Sequence, residues 1–136
     1  MNYLLDTNAV VALLRSKPVG VRERYRQAEA AGACLAVSSI VLFELWYGVE
    51  KSGRAKENSE RLRVLLSGDL DLLDFDDEDA QTAGRIRAAL ESAGTPIGAY
   101  DLLIAGQALR RGLTVVTANT SKISRVSGLS WEDWTA

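Results

Sequence analysis

The chain contains no histidine, and that absence removes whole classes of chemistry. Ser-His-Asp and Cys-His arrangements are excluded, and so is a ribonuclease mechanism built on paired histidines. Any hydrolysis would then need a metal-activated water as nucleophile. Cysteine is almost absent too: the single Cys34 excludes an internal disulfide and a cysteine zinc cluster. In its ACLAVSS setting it is expected to be a small buried apolar residue. There is little net charge, −2 with a pI near 5.2, which excludes a strongly basic, non-specific nucleic-acid binder. A nucleic-acid enzyme stays open, because metals can offset an acidic centre. No apolar run approaches the roughly 18 residues of a membrane span. MNYLL lacks a basic start, and Asp6 interrupts it before a secretory segment can form, so a cytoplasmic location is expected. Neither GxGxxG after a strand nor a GxxxxGK[ST] loop is present.

What remains is a chain of 136 residues, 47% hydrophobic and 25% charged, which fits one globular domain spanning residues 1–136. Asn2 to Leu5 reads as a buried strand, followed at helical spacing by Thr7 to Arg15. Pro18 suits the first turn of a second helix that runs to about Ala31, with Gly32 as its C-terminal cap. Cys34 to Val37 reads as a strand, and Ser38 or Ser39 caps a helix ending near Gly53. Arg54 to Leu66 is amphipathic, with Leu62, Leu65 and Leu66 on one side. Leu70 to Phe75 reads as a strand, Asp76 or Asp77 caps a helix from Glu78 to Ser92, and Ala99 to Arg111 is a further helix stopped by Gly112. Leu113 to Thr117 is a β-branched strand, and Leu129 to Trp131 adds a short edge. Strands alternating with helices predict an α/β fold with a central, mainly parallel sheet. The acids of LDLLDFDDEDA are expected to be a solvated strand end and helix start, and Arg110 and Arg111 a solvated helix end.

Three carboxylates stand where apolar neighbours make a carboxylate costly: Asp6 in YLLDTNAVVALL, Glu44 in SSIVLFELWYGVEKS and Asp101 in GTPIGAYDLLIAGQAL. Asp6 follows a strand and precedes a helix, so it is either a helix cap or a ligand at the carboxyl edge of the sheet. Glu44 is expected to be buried, and its helical neighbours Ile40, Val41, Tyr47 and Gly48 include no cation. A distant Arg or Lys, or a metal, must then compensate it. Asp101 lies in a first helical turn, where the dipole favours an acid, but the apolar run Leu102 to Ala105 draws it toward the core. Three converging acids make a site for a hard divalent cation. Trp46 and Tyr47, beside the Leu62, Leu65 and Leu66 stripe, amount to more apolar surface than a small monomer hides.

Taken together, LLDTN (4–8), FELWYGVEKS (43–52), IGAYDLLIAGQAL (97–109), VVTANT (115–120) and RVSGLSWEDW (125–134) resemble the PIN-domain family, most closely its VapC toxins from bacterial toxin–antitoxin pairs. The resemblance covers the chain from first strand to last. It implies an α/β/α sandwich whose acids bind Mg2+ or Mn2+ and cleave RNA, with Asp6, Glu44 and Asp101 at the metal site. Asn8 and Ser39 match neighbouring polar positions. It also implies a VapB-type antitoxin, an RNA substrate such as tRNA, contact with DNA only through the antitoxin, and a homodimer or toxin–antitoxin hetero-oligomer. The chain departs from the family where a fourth acid is common: TANTSKISRVSGL contains no Asp or Glu, Asn119 stands at one acidic position, and Lys122-Ile123 replaces an acid followed by Phe. That departure favours one metal, or a site completed by the substrate, over a two-metal site.

Two other functions compete with an endoribonuclease toxin. One is a PIN-fold regulatory module with weakened catalysis, acting through its antitoxin complex. The other is a haloacid-dehalogenase-like phosphatase with Asp6 as nucleophile, which Asn8 disfavours because that mechanism wants an acid two residues on.

Overall fold

A computed structural model describes residues 1–135. Five strands form one parallel sheet: β1 (Tyr3–Leu5), β2 (Leu35–Ser38), β3 (Leu70–Leu73), β4 (Thr114–Val116) and β5 (Trp131–Glu132), in the order β3-β2-β1-β4-β5. Leu4, Leu5, Leu35, Ala36, Val37, Val115 and Val116 are all buried. Helices cover both faces of such a sheet, which is why its central strands are unbroken apolar runs rather than alternating ones.

Among the described residues, seven helices surround the sheet: α1 (Thr7–Arg15), α2 (Val19–Ala30), α3 (Ser39–Lys51), α4 (Ala55–Leu66), α5 (Asp77–Ser92), α6 (Ala99–Arg111) and the short α7 (Thr120–Ile123). Local chemistry sets their ends. The Asp6 side chain accepts from the Ala9 amide and starts α1, and Ser38 accepts from the Ile40 amide and starts α3. Asp76 and Asp79 form a reciprocal capping box at the start of α5. Gly112, at φ 67°, ends α6 in the left-handed conformation that glycine tolerates best. Helices α5 and α6 pack closely, and a Cβ on Gly106 would lie 2.6 Å from that of Ala83.

Several expectations need correcting. β3 stops at Leu73, two residues short of Phe75, and β5 begins at Trp131 rather than Leu129. α7 was not expected. Cys34 is exposed, because it sits just before β2 rather than within it. The acidic stretch and the two arginines are not both solvated ends: they form one cluster. Arg110 Nε donates to Asp79 at 2.7 Å, Nη2 to Asp76 at 2.8 Å and Nη1 to Glu78 at 3.1 Å. Arg111 Nη2 donates to Asp79 at 3.0 Å and to the Asp74 carbonyl at 2.9 Å. The Asp79 side chain is fully buried, and the cluster ties α5 and the exit of β3 to the last turn of α6. Burial alone would raise the Asp79 pKa. The hydrogen bond from Arg111, the Asp76 capping bond and the hydrogen bond from Arg110 outweigh it and lower the value to about 2.

Candidate active site

The chain builds β1, β2 and β3 outward in one direction, then returns to lay β4 and β5 on the other side of β1. The carboxyl edge between β1 and β4 is therefore a switch point, the place where open α/β sheets leave a crevice for ligands. Asp6 leaves β1 there, its amide donating to the Val116 carbonyl of β4 at 3.1 Å. Asp101 arrives from the first turn of α6, and Glu44 from the second turn of α3. All three line one cavity of about 280 Å3, together with Thr7, Asn8, Gly98, Ala99, Tyr100 and Ile104. Among the described residues, no Lys or Arg lines it.

Each acid is held differently. Asp6 is buried, and its Oδ1 accepts from the Ala9 amide at 2.8 Å. Burial raises its pKa most. The Ala9 and Thr117 hydrogen bonds lower it, and the nearby Asp101 and Glu44 charges raise it further, so the net shift is upward. Asp6 thus caps a helix and also lines the cavity. Glu44 is half-buried, and its Oε1 accepts from Thr7 Oγ1 at 2.7 Å. Its expected burial is corrected. Phe43 and Tyr47, which made its helix look like core, are 58% and 59% exposed. Asp101 is also half-buried, and its Oδ2 accepts from Asn119 Nδ2 at 2.6 Å.

Of the polar residues expected nearby, Asn8 lines the cavity and Asn119 reaches it through Asp101. Ser39 does not belong to it. Its Oγ accepts from the Phe75 amide at 3.0 Å and pins the exit of β3. Lys122 is exposed, one turn beyond Asn119. Thr7 is the residue sequence reasoning missed. The available signal was its place directly after Asp6, where the start of α1 turns its hydroxyl toward Glu44.

The donor set suits a hard cation: three carboxylates, one of them buried, around a cavity without a basic residue. Among the described residues, however, no group of three acids is already arranged to hold an ion. Thr7 and Asn119 engage Glu44 and Asp101 instead.

A second cavity, of about 300 Å3, adjoins the first and shares Thr7 and Glu44 with it. It lies between α1, α3 and α4, with Val11, Leu14, Leu45, Val49 and Leu62 as apolar lining and Arg15 and Arg61 as basic lining. No described helix is long and apolar enough to cross a membrane.

A family model for the PIN domain matches residues 3–129. The tRNA(fMet)-specific endonuclease VapC of Shigella flexneri is 40% identical over 134 residues, covering 98% of each chain. Ribonuclease VapC2 of Rickettsia felis is 38% identical over 136 residues, again covering 98% of each. Among solved structures, VapBC2 from Rickettsia felis bound to a promoter DNA fragment superposes with a TM-score of 0.91 at 36% identity, covering 98% of this chain and 99% of that one. DNA-bound VapBC from Salmonella typhimurium gives a TM-score of 0.89 at 40% identity, covering 98% of each chain.

Proposed function

The chain belongs to the PIN-domain family, and on that premise we propose that it is a metal-dependent endoribonuclease, the toxin of a type II toxin–antitoxin pair. One observation carries the reading. Asp6, Glu44 and Asp101 converge on a single cavity at the switch point of the sheet, whose lining, among the described residues, includes no Lys or Arg.

Mg2+ or Mn2+ is the cofactor this chemistry calls for, with Asp6, Glu44 and Asp101 as ligands, directly or through water. Such an ion, when bound, activates a water and places positive charge beside the scissile phosphodiester. The chain's own residues set the geometry. The Ala9 amide fixes the direction of the Asp6 carboxylate. Thr7 engages one oxygen of Glu44 and Asn119 one oxygen of Asp101, leaving the second oxygen of each to turn toward an ion. Asn119 adds a neutral group where an acid would add charge, and affinity for divalent ions follows ligand charge, so one ion rather than two fits the site.

The proposed partner is a VapB-type antitoxin, because the neighbouring solved structures are VapBC complexes. The groove between α1, α3 and α4 offers it an apolar seat that opens at Glu44 onto the acids. DNA contact would come through the antitoxin, and the assembly would be a homodimer or a toxin–antitoxin hetero-oligomer in the cytoplasm. The substrate is RNA, with tRNA favoured by the name of the Shigella relative.

Partner-free protein incubated with cellular RNA tests the reading. Cleavage at defined sites is expected with Mg2+ or Mn2+ and should vanish with EDTA. Asp101→Asn should reduce it on the order of a hundredfold or more while leaving the circular dichroism spectrum unchanged. Cleavage that persists in EDTA would overturn the assignment. Co-expression with the adjacent open reading frame, followed by pull-down, tests the partner.

A further inference from the structure

The segment after β4, from Thr117 to Leu129, contains no acid and two cations, Lys122 and Arg125, a local charge of +2 in a chain whose net charge is −2. Packing decides which way the two face. Ile123 and Val126, three residues apart, are buried in one cluster with Leu90 of α5 and with Leu102 and Ala105 of α6. Lys122 and Arg125, also three apart, are left on the outer side of the same turn, and both are exposed. The Arg125 amide donates to the Lys122 carbonyl at 3.1 Å, which keeps the two cations on one edge.

Two hydrogen bonds set that edge beside the acid cavity. Asn119, at the head of α7, holds Asp101, and Arg125 Nη1 donates to the Pro96 carbonyl at 2.8 Å. Pro96 lies two residues before Gly98, which lines the cavity. Among the described residues, neither Lys122 nor Arg125 pairs with a carboxylate. Arg110 and Arg111 of α6, the helix against which this turn packs, are both held by acids.

The cavity sets a problem that such cations answer. Its lining carries three carboxylates and, among the described residues, no Lys or Arg, so it repels a phosphate chain until an ion binds. Charges act over only about 8 Å at physiological salt, so an offsetting attraction has to stand at the cavity's own edge. Arg15 and Arg61 stand on the far side of Glu44, inside the groove proposed for the protein partner. We propose that Lys122 and Arg125 form a phosphate-contacting rim, holding the RNA backbone beside the scissile phosphodiester rather than at it. The proposal rests on the ribonuclease reading above and adds to it the residues that draw in and position the substrate. An ammonium and a guanidinium suit phosphate oxygens through charge-assisted hydrogen bonds. Such contacts fix the register of a nucleic acid without reading its sequence.

The test follows cleavage of an unfractionated tRNA pool by the full-length, partner-free chain with Mg2+, measuring KM and kcat from about 50 to 300 mM salt. Lys122→Gln/Arg125→Gln should raise KM roughly tenfold at the lowest salt and leave kcat nearly unchanged. It should also flatten the slope of log KM against log salt by about 0.7 to 0.9 for each lost contact. Lys122→Arg/Arg125→Lys keeps both charges and should keep the wild-type slope. Arg26→Gln/Lys56→Gln removes two exposed cations of α2 and α4 that do not line the cavity, and should change neither quantity. A wild-type slope in the double glutamine variant would overturn the proposal. So would an equal effect of the Arg26 and Lys56 pair, since net charge would then suffice. A KM raised at every salt with an unchanged slope would also overturn it, because losing the Arg125–Pro96 bond would merely have moved the loop. Calorimetry without RNA should give Lys122→Gln the Mn2+ affinity of wild type, and tighter binding would turn Lys122 toward the ion instead of the RNA. A wild type that cleaves no RNA with Mg2+ or Mn2+ overturns the ribonuclease reading. Fluorescence anisotropy of labelled tRNA then reads the same salt slopes from binding alone, and the rim stands or falls by that measurement.

Discussion

Asn119 donates its side-chain amide to Oδ2 of Asp101 at 2.6 Å, bridging the end of β4 to the first turn of α6 across 18 residues of sequence. It satisfies a carboxylate without neutralising it. Exchanging it for an acid should have opposite effects in the free and metal-loaded protein. Asn119→Asp loses the hydrogen bond and sets two like charges side by side, so the melting temperature without metal should fall. A fourth carboxylate should tighten Mg2+ or Mn2+ binding measured calorimetrically without RNA. Unchanged affinity would place Asn119 outside the ion's reach.

Asp6 and Glu44 should respond differently to neutralisation. Asp6 is the buried acid, with a pKa raised first by desolvation. Asp6→Asn keeps a side-chain oxygen to cap α1 while removing a buried charge, so it should raise the melting temperature of the metal-free protein and abolish stabilisation by metal. Glu44 is half-buried and bonded to Thr7, so Glu44→Gln should change the metal-free melting temperature little and still weaken the metal response. Differential scanning fluorimetry with and without Mn2+ separates the two. A Glu44→Gln protein with the full metal response would remove Glu44 from the ligand set.

That contrast marks where the sequence was legible and where it was not. The elements carrying the acids could be read directly: α1 and α6 lie where periodicity and caps put them, because an apolar stripe bounded by Asp6, Gly98 or Gly112 leaves little choice. Glu44 misled because apolar neighbours were equated with burial, while Phe43 and Tyr47, four residues apart, lie on the outer side of their helix. The pairing of Asp79 with Arg110 and Arg111 spans 31 and 32 residues, and no local pattern announces a contact made only when α5 packs on α6. Helix α7 is a single turn, too short to show periodicity.

The α5–α6 contact itself is testable at Gly106. An added Cβ would meet the Ala83 Cβ at 2.6 Å, its Cα at 2.7 Å and its amide nitrogen at 2.8 Å. Two of those three atoms are backbone, so neither rotamer change nor trimming of Ala83 can clear the space. Gly106→Ala should cost about 2–3 kcal/mol through forced separation of the helices, despite the better helix propensity of alanine. Ala83→Gly should restore only part of the loss. Urea denaturation of the two single variants and the double variant measures this, and full rescue would show that the helices can part without cost.

Asp79 makes the acid limb of the stability curve predictable. Its pKa falls from 3.8 in the unfolded chain to about 2 in the fold. A depressed carboxyl contributes stability that is complete above the unfolded value and disappears as pH drops through the folded one. Between about pH 4 and 2 the unfolded state binds more protons, so stability falls as the solution is acidified. The shift corresponds to on the order of 2 kcal/mol, less whatever solvent around the partly exposed Arg110 and Arg111 screens away. Asp79→Asn should lose stability at pH 7, because two guanidinium groups lose their shared carboxylate. It should also show a shallower decline between pH 4 and 2 than wild type, the two curves converging at the acid end. Urea midpoints taken across that range test the assignment. Parallel curves would mean that Asp79 is not the carboxyl titrating there.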